Sequence, residues 1–470
     1  MRYPHFTRRL LVVLPSVLMC LIAINTASAI EHAKAKHVFY FIGDGMGSLQ
    51  REVGEQCLKG ITQNPDATLL MNQLPVQGFL QTRSANKNIT DSAAAGTALA
   101  TGYKTNNTVV GLLPDMKTPV PSIAELAHQH GLKVGILTSV TLDNATPACF
   151  FAHQAKRSHY YPISVQLANA PFAYFAGGGL QGLEHNGDNN LELAKTNGFV
   201  ITQSRKQLAE QRPGTRVIAL NESDKAQHAA LPWEVERKDS DISLAQFVEQ
   251  GIRLLDNDKG FFMMIEGGKI DWAGHDNAIG TLAREVVALD ETLKVAMKFY
   301  KQHPNDTLII ITADHETGGM QKIGKPDPQY LANFTASFEH FKFQLIELIK
   351  NKATYEQAFA LAQSQFRLDP LTEEQALDMQ KGWALLLDSA PIKFNYKKYN
   401  PFIENCLVLA ARKAGYQFTT HGHSNVDVPI SAIGVGSDWF KGTQDNTVVT
   451  RYLYQLITGK PFSVLQEPGQ

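Results

Sequence analysis

Short apolar runs rich in β-branched and aromatic residues recur along this chain, with helical patterns between several of them. The runs occupy residues 37–42, 133–138, 172–176, 261–265, 307–311 and 428–435. Continuous apolar runs of this length are typical of strands buried on both faces. Helices are predicted from the capping box of Ser122 and Glu125 to Gly131, and over residues 281–300. This alternation predicts an α/β fold with a mostly parallel central sheet.

The chain has 470 residues, a length that suggests roughly three domains. Candidate site residues are scattered from position 44 to position 423, however, and one large domain over residues 30–470 explains that scatter better. Residues from about 320 to 415 are rich in helical patterns and interrupt the succession of strands. We therefore predict a helix-rich insertion there, which forms either a lid over the site or an oligomer contact.

The first 29 residues have the pattern of a secretory signal peptide. Arginines at positions 2, 8 and 9 precede an apolar stretch over residues 10–24, and Ala27-Ser28-Ala29 forms a small-residue cleavage site. The apolar stretch is short for a membrane span and contains Pro15, although a retained anchor helix is the alternative. We predict a secreted or periplasmic protein that has no membrane segment after the signal is removed.

Charge and cysteine content exclude two further classes. The chain has 44 basic and 45 acidic residues, so it lacks the positive charge with which proteins bind nucleic acid. Three cysteines remain outside the signal segment, at positions 57, 149 and 406. Because this number is odd, no disulfide framework is implied.

The segment Thr90-Asp91-Ser92-Ala93 contains a candidate nucleophile. A serine hydroxyl is a weak nucleophile at neutral pH, and no histidine flanks Ser92 to take its proton. A bound metal ion is the other route, since metal coordination lowers the pKa of bound water from about 15.7 to about 7. The alternative is structural: Asp91 or Ser92 caps a helix that the following alanines continue.

Seven acidic and histidine residues lie next to the strand-like runs. They are Asp44, Glu266, Asp271, His275, Asp314, His315 and His423. In open α/β sheets, sites form outside the carboxyl ends of the strands. Carboxylates with imidazoles suit zinc, and carboxylates with a hydroxyl suit magnesium. Each residue alone has a structural explanation, such as a helix-turn contact between Asp271 and His275, but their joint placement indicates a metal site.

The motifs in this order make the chain resemble the alkaline phosphatases. The resemblance covers most of the chain and rests on Asp44-Gly45-Met46-Gly47, Thr90-Asp91-Ser92-Ala93, Thr101-Gly102-Tyr103-Lys104-Thr105, Ala145-Thr146-Pro147, Gly177-Gly178-Gly179, Glu266-Gly267, Asp271 with His275, Thr312-Ala313-Asp314-His315, and His423 before Asp427-Val428-Pro429. It implies a three-layer α/β/α sandwich and the hydrolysis of small-molecule phosphate monoesters. A homodimer is compatible with it.

The resemblance also implies three metal ions, two of zinc and one of magnesium. The implied ligands are Asp271, His275 and His423 for the first zinc, Asp44, Asp314 and His315 for the second, and Asp44, Thr146 and Glu266 for magnesium. By the same resemblance, Ser92 forms a phosphoserine intermediate, and Arg157, eleven residues after Thr146, binds the phosphate. A planar guanidinium can pair with two phosphate oxygens at once.

Two positions depart from the family pattern. Asn144 stands where many members have Asp or His, and Trp272 where many have Lys or His. Both positions flank the implied magnesium and phosphate, so magnesium affinity and the rate of phosphate release are open.

Two other functions compete with the monoesterase. One is another ester hydrolase of the same superfamily, acting on phosphodiesters or sulfate esters; the run after Ser92 lacks the C/S-x-P-x-R pattern of sulfatases. The other is a non-catalytic periplasmic phosphate-binding protein. The presence of Ser92 together with every implied ligand favours the enzyme.

Overall fold

A computed structural model describes residue 1 and residues 34–221, 229–388 and 399–463. The predicted signal segment lies outside the described residues, apart from its first. Among the described helices, none has both the length and the apolar character that crossing a membrane requires. The three cysteines at positions 57, 149 and 406 are buried free thiols.

Sixteen strands are present in the described part of the chain. In order they are β1 (His37–Gly43), β2 (Val76–Gln81), β3 (Lys133–Thr138), β4 (Tyr174–Gly177), β5 (Glu184–His185), β6 (Asp188–Asn189), β7 (Phe199–Thr202), β8 (Arg216–Leu220), β9 (Phe261–Gly267), β10 (Thr307–Ala313), β11 (Glu316–Thr317), β12 (Gln321–Lys322), β13 (Tyr416–Gln417), β14 (His423–Ser424), β15 (Val428–Gly434) and β16 (Gly442–Asp445).

Seventeen α-helices accompany these strands in the same described ranges. They are α1 (Ser48–Thr62), α2 (Leu70–Gln73), α3 (Ser92–Thr101), α4 (Ile123–Gln129), α5 (Ala145–Ala148), α6 (Tyr160–Asn169), α7 (Asn190–Thr196), α8 (Arg205–Ala209), α9 (Leu244–Leu255), α10 (Lys269–His275), α11 (Ile279–Tyr300), α12 (Pro328–Ala332), α13 (Phe338–Lys350), α14 (Tyr355–Phe366), α15 (Glu373–Asp388), α16 (Pro401–Lys413) and α17 (Val448–Thr458).

Ten of the strands form one central sheet in the order β16-β2-β15-β10-β1-β9-β3-β4-β8-β7. The seven strands from β10 to β7 are all parallel to one another. Only β15 is reversed among these ten, because it is antiparallel to both β10 and β2, and β16 is parallel to β2. The prediction of an α/β fold with a mostly parallel sheet is confirmed.

Helices cover both faces of this sheet. All seven residues of β1 are buried, and successive side chains of a strand point to opposite faces. Phe39 packs edge-on against Phe299 of α11 on one face. On the other face, the Tyr40 hydroxyl donates a hydrogen bond to the Leu99 carbonyl of α3. A strand enclosed in this way has no solvent-facing side, which explains why its sequence is continuously apolar.

The direction of β15 determines which of its ends lies near the site. Parallel strands β1, β9 and β10 end at the same edge of the sheet. Because β15 runs the opposite way, its beginning lies at that edge, and β14 with His423 directly precedes it. His423, which precedes β15, is therefore brought close to the residues that follow β1, β9 and β10.

The sequence analysis located the strands at the centre of the sheet and missed those towards its margins. β1, β3, β9, β10 and β15 match the predicted runs within two residues. No elements were extracted from residues 181–240, where β7 and β8 complete one margin of the sheet. At the opposite margin β2 was also missed. Its positions alternate between buried and exposed, but Gly78 is buried and Phe79 is exposed, so the sequence does not alternate between apolar and polar residues.

Five helices, α12 to α16, occupy the region where the helix-rich insertion was predicted. The predicted runs near 340–350, 372–388 and 402–413 correspond to α13, α15 and α16, whereas α12 and α14 were not anticipated. Phe338 of α13 packs edge-on against Tyr399, and Trp383 of α15 packs against Phe402 of α16. Aromatic contacts thus join the helices of this region, and these residues continue the core of the central sheet.

A buried arginine joins α1 to the two strands beside the site. The Arg51 guanidinium donates to the Ile311 carbonyl of β10 at 3.2 Å and, on β15, to the Pro429 carbonyl at 3.2 Å and the Ser431 hydroxyl at 2.8 Å. Only 3% of the residue is exposed, and burial lowers the pKa of Arg51 to about 9. These bonds fix the junction at which the sheet changes direction.

Replacing this guanidinium should destabilise the fold. We expect Arg51→Leu to lower the free energy of unfolding by about 3 kcal/mol, because buried acceptors lose their donors at about 1–3 kcal/mol each. Urea denaturation followed by circular dichroism measures the change. Arg412→Leu, the same substitution at an exposed helix position, should stay within about 0.5 kcal/mol of the parent. An unchanged midpoint for Arg51→Leu would mean that burying the cation costs as much as its bonds contribute.

Candidate active site

Ser92 is the first residue of a short helix that packs closely under the site. The Asp91 side chain caps α3 by accepting a hydrogen bond from the Ala94 N–H at 3.0 Å. The sequence analysis considered Asp91 and Ser92 as the capping residue, and the structure has Asp91. A Cβ added at Gly96 would lie 3.1 Å from Cys149 Sγ and 3.4 Å from the Cα atom of Thr146. The small residues of α3 therefore let α5 approach, which places Thr146 beside the nucleophile segment.

One group of potential metal ligands surrounds the Ser92 hydroxyl. Ligand atoms of Asp44, Asp314 and His315 all lie within 4.8 Å of one another. Ser92 Oγ is 3.1 Å from His315 Nε2 and 3.5 Å from Asp44 Oδ1. Asp314 is fully buried, and its Oδ2 atom makes no hydrogen bond, although it lies 3.2 Å from His315 Nε2. A buried carboxylate oxygen without a donor is costly, so a cation at this group would satisfy it.

A second group stands beside the first. Ligand atoms of Asp271, His275 and His423 also lie within 4.8 Å of one another. The His423 ring stacks on the ring of His315 with centroids 3.6 Å apart, so the two groups are adjacent. All six residues of the groups are among those predicted as zinc ligands from the sequence.

Backbone carbonyls orient two of these imidazoles. His423 Nδ1 lies 2.8 Å from the Thr90 carbonyl, and His275 Nδ1 lies 2.5 Å from the His421 carbonyl. A carbonyl oxygen only accepts, so Nδ1 carries a proton in each ring, and Nε2 presents a lone pair whenever the ring is neutral, as a metal ligand must be. These two Nε2 atoms are 3.1 Å apart. Two lone pairs at that distance repel each other unless a cation lies between them, which is the arrangement of metal-ligating histidines.

Thr146 and Glu266, the predicted magnesium ligands, adjoin the first group. Thr146 Oγ1 donates to Asp44 Oδ2 at 3.4 Å. Glu266 accepts a hydrogen bond from the hydroxyl of Thr138, which pairs with it in the register of β3 and β9. Sequence reasoning missed Thr138. Its position at the end of a predicted strand was the available signal.

Arg157 lies near the nucleophile and contacts two polar neighbours. Its Nη1 atom is 3.6 Å from Asp91 Oδ2, and its Nη2 atom donates to Asn144 Oδ1 at 3.3 Å. Burial opposes its charge, but Asp91 and Asp44 outweigh that effect and raise the pKa of Arg157. Arg157 and Ser92 line the same cavity. A permanent cation therefore faces the position of the nucleophile.

The site holds more negative charge than it can keep without a cation. Burial raises the pKa of Asp44 well above its usual range, and Asp314 adds to that rise. Burial and the charge of Asp271 raise the pKa of Asp314 to about 8, and burial raises the pKa of Glu266 to about 7. For Asp271, burial opposes ionisation, but the neighbouring imidazoles outweigh it and lower its pKa. Divalent cations would stabilise all four carboxylates in their charged forms.

The cavity extends well beyond these groups. Its volume is about 1180 Å³, and its wall includes Trp272, Trp233, Glu339 and Lys342. Sequence reasoning singled out Trp272 only as a departure from a pattern and missed the other three. Trp233 lies in a stretch from which no chemistry was extracted, and Glu339 and Lys342 belong to α13 of the insertion.

Comparisons with known proteins agree on one family. A family model described as alkaline phosphatase matches residues 35–171 and 175–458. Alkaline phosphatase 3 of Bacillus subtilis is 28% identical over 463 residues, which cover 93% of each chain.

Two solved structures agree with this. A cold-active alkaline phosphatase from a psychrophilic Shewanella aligns with a TM-score of 0.75 and 26% identity, over 90% of this chain and 99% of the other. A mutant of TAB5 alkaline phosphatase with magnesium bound in its M3 site aligns with a TM-score of 0.64 and 24% identity, over 91% and 99% of the two chains.

The metal-free protein should lose stability as pH rises from about 5 to 8. Asp314 and Glu266 have pKa values of about 8 and 7 in the folded state, against about 3.9 and 4.3 in an unfolded chain. These carboxyls therefore bind more protons in the folded state in this window, and the free energy of unfolding falls as pH rises. Burial lowers the pKa of His315 and of His423, which opposes the decline below about pH 6.5 and leaves it undiminished above that pH. Asp271, whose pKa is lowered, affects stability only below this window.

Denaturation of chelator-treated protein at pH 5.5, 7 and 8.5, with and without added zinc and magnesium, measures this slope. Metal binding replaces the protons, so we expect the metal-loaded protein to lack the decline. Equal slopes with and without metal would contradict the prediction.

Proposed function

The chain belongs to the alkaline phosphatase family, and on that premise we propose that it hydrolyses phosphate monoesters through a phosphoserine on Ser92. The observation that carries the proposal is the position of Ser92 Oγ. It lies 3.1 Å from His315 Nε2 and 3.5 Å from Asp44 Oδ1, at the border of a buried ligand group. A hydroxyl so placed loses its proton readily once a cation occupies that group.

We propose two zinc ions and one magnesium ion as the resident metals. Asp271, His275 and His423 would hold one zinc, and Asp44, Asp314 and His315 the other; Asp44, Thr146 and Glu266 would hold magnesium. The Asp314 Oδ2 atom, which makes no hydrogen bond, and the opposed lone pairs of His275 and His423 support the fit. When bound, such ions lower the pKa of coordinated hydroxyls and neutralise negative charge on phosphoryl oxygens.

The residues of the chain divide the reaction into two displacements. In the first, Ser92 Oγ loses its proton and bonds to phosphorus, while the bond from phosphorus to the ester oxygen breaks. The ester oxygen takes up a proton and leaves as the alcohol. In the second, water attacks the phosphoserine, releasing inorganic phosphate and restoring the Ser92 hydroxyl. The attack is in line, and its transition state needs positioning and charge neutralisation more than covalent help.

Arg157 is the proposed binding group for the phosphoryl oxygens. Its guanidinium is held by Asp91 and Asn144 near the start of α3. Asn144 supplies a neutral acceptor where the family resemblance leads us to expect a carboxylate or an imidazole. The positive charge of Arg157 is therefore less neutralised at this contact and acts more strongly on the substrate. We infer that this strengthens phosphate binding and that Asn144 contributes less to the magnesium site than a carboxylate would.

Export is part of the same proposal. The basic residues, apolar stretch and Ala27-Ser28-Ala29 of the signal segment support secretion or transfer to the periplasm. We expect N-terminal sequencing of the exported protein to begin at Ile30. An exported chain that still begins at Met1 would contradict the cleavage site and favour the retained anchor helix, whereas recovery of the protein only from the cytoplasm would contradict the localisation.

Removing the nucleophile tests the phosphoserine. We expect Ser92→Ala to lower kcat for an aryl phosphate at alkaline pH by at least about 10³-fold while zinc and magnesium contents stay the same, because the first displacement loses its attacking atom. Metal content is assayed on the same samples. The control Ser243→Ala removes a serine that caps α9, away from the site, and should retain activity. Substantial turnover by Ser92→Ala would mean that water attacks the ester directly.

A further inference from the structure

The outer part of the cavity carries two tryptophans that the phosphoryl chemistry does not use. Trp233 and Trp272 both line it, together with Ser92 and Arg157. These two indoles are here called the aromatic wall. We propose that the accessible indole of Trp272, bordered by Trp233, binds the base of a nucleoside, so that nucleoside 5′-monophosphates are favoured substrates. This inference rests on the proposed function, because the ester must be cleaved at Ser92.

Trp233 is held in place by contacts on two sides. Its indole N–H donates to Glu339 Oε2 at 2.8 Å, which ties it to α13 of the insertion. The Lys269 ammonium lies 3.9 Å from the centre of its ring and donates to the Leu231 carbonyl at 2.6 Å. A ring fixed by a hydrogen bond and a cation–π contact loses little freedom when a ligand binds. The border of the cavity is therefore preorganised.

Helix α10 brings the second indole to the same side. Lys269 and Trp272 are three residues apart on α10, and side chains at this spacing are neighbours on a helix surface, about 5–6 Å apart at Cβ. The Trp233 ring contacts Lys269 and lines the same cavity as Trp272. Trp272 is partly exposed, whereas 3% of Trp233 is exposed. Trp272 thus offers the accessible surface and Trp233 its rigid border.

The aromatic wall adjoins the place where the leaving group departs. Trp272 directly follows Asp271, and His275 is one helical turn further on. Asp271 and His275 belong to the ligand group that lines the cavity together with Trp272 and Ser92. In-line attack by Ser92 expels the ester oxygen on the side of phosphorus opposite to Ser92. The alcohol of a bound ester would therefore extend along the aromatic wall while its phosphoryl group faces Ser92 and Arg157.

Size and polarity favour a nucleoside over a small alcohol. Pockets of about 300–1,000 Å³ hold drug-sized ligands, and this cavity, at about 1180 Å³, leaves ample room beside a phosphoryl group. The carboxamides of Asn107 and Gln181 also line it, and such groups offer the donor and acceptor pairs that match base edges. At the wall formed by α13, Lys342 Nζ lies 3.6 Å from Asp276 Oδ2. The charge of Lys342 is therefore largely balanced, and this wall suits a neutral base.

Two substrates with the same reacting ester isolate the contribution of the base. Adenosine 5′-monophosphate and ribose 5-phosphate both carry a primary phosphate ester on a ribose, and only the first has a base. We expect kcat/KM of the metal-loaded enzyme to be about tenfold higher for adenosine 5′-monophosphate, the magnitude that stacking of one base on an aromatic side chain provides. We expect Trp272→Leu to bring this ratio towards one, and Trp272→Phe to keep part of it.

Matched controls separate the aromatic wall from general effects. Trp439→Leu removes a partly buried tryptophan that packs on Tyr452 outside the cavity, and should leave the ratio unchanged. Adenosine alone should compete with ribose 5-phosphate, and Trp272→Leu should raise its inhibition constant several-fold. Phenol should compete far less well; equal competition by phenol would reassign the aromatic wall to aryl esters.

The outcomes distinguish this inference from the proposed function. If the parent enzyme hydrolyses neither substrate, the proposed monoesterase function fails. If it hydrolyses both substrates at equal kcat/KM, or if Trp272→Leu leaves the ratio unchanged, only the nucleoside inference is overturned.

Discussion

The repulsion among four buried carboxylates is the constraint that the rest of the site answers. Asp44, Glu266, Asp271 and Asp314 come from different segments and meet at one edge of the sheet. Without cations the protein tolerates them only by raising the pKa values of three. The parallel sheet makes the meeting possible, since it directs several strand ends to one edge. The close carboxylates destabilise this edge when no cation is bound. They also make it suitable for divalent metals, which can then bind the phosphoryl charge.

The sequence allowed the centre of the sheet and the ligand positions to be predicted for a shared reason. Buried parallel strands have continuously apolar sequences, and their ends are marked by the polar residues that follow, as at Asp44 and Asp314. Strands near the margins carry weaker patterns: β2 lacks an alternation of apolar and polar residues, and β7 and β8 lie in a mixed polar stretch. The position of His423 ahead of a strand became intelligible only once β15 proved to run against its neighbour.

Residues that act through distant contacts were beyond sequence reasoning. Trp233 borders the cavity because Lys269 and Glu339 hold it, and neither contact leaves a local pattern in the chain. The same holds for Thr138, whose hydroxyl meets Glu266 only through the register of two strands that are far apart in sequence. The helix-rich insertion was visible as composition, but its contribution to the cavity wall depends on the packing of α13.

The reversed strand also governs when the protein can begin to work. His423 stands near the end of the chain, whereas Asp44 stands near its start, and the ligand groups need both. A chain whose synthesis has not reached β14 therefore has all the parallel strands of the centre, but its binding site for metal is incomplete. Contacts between such distant segments form late, since closing long loops is entropically costly. Competence thus requires the segment that contains β14, and chains that lack it stay inert.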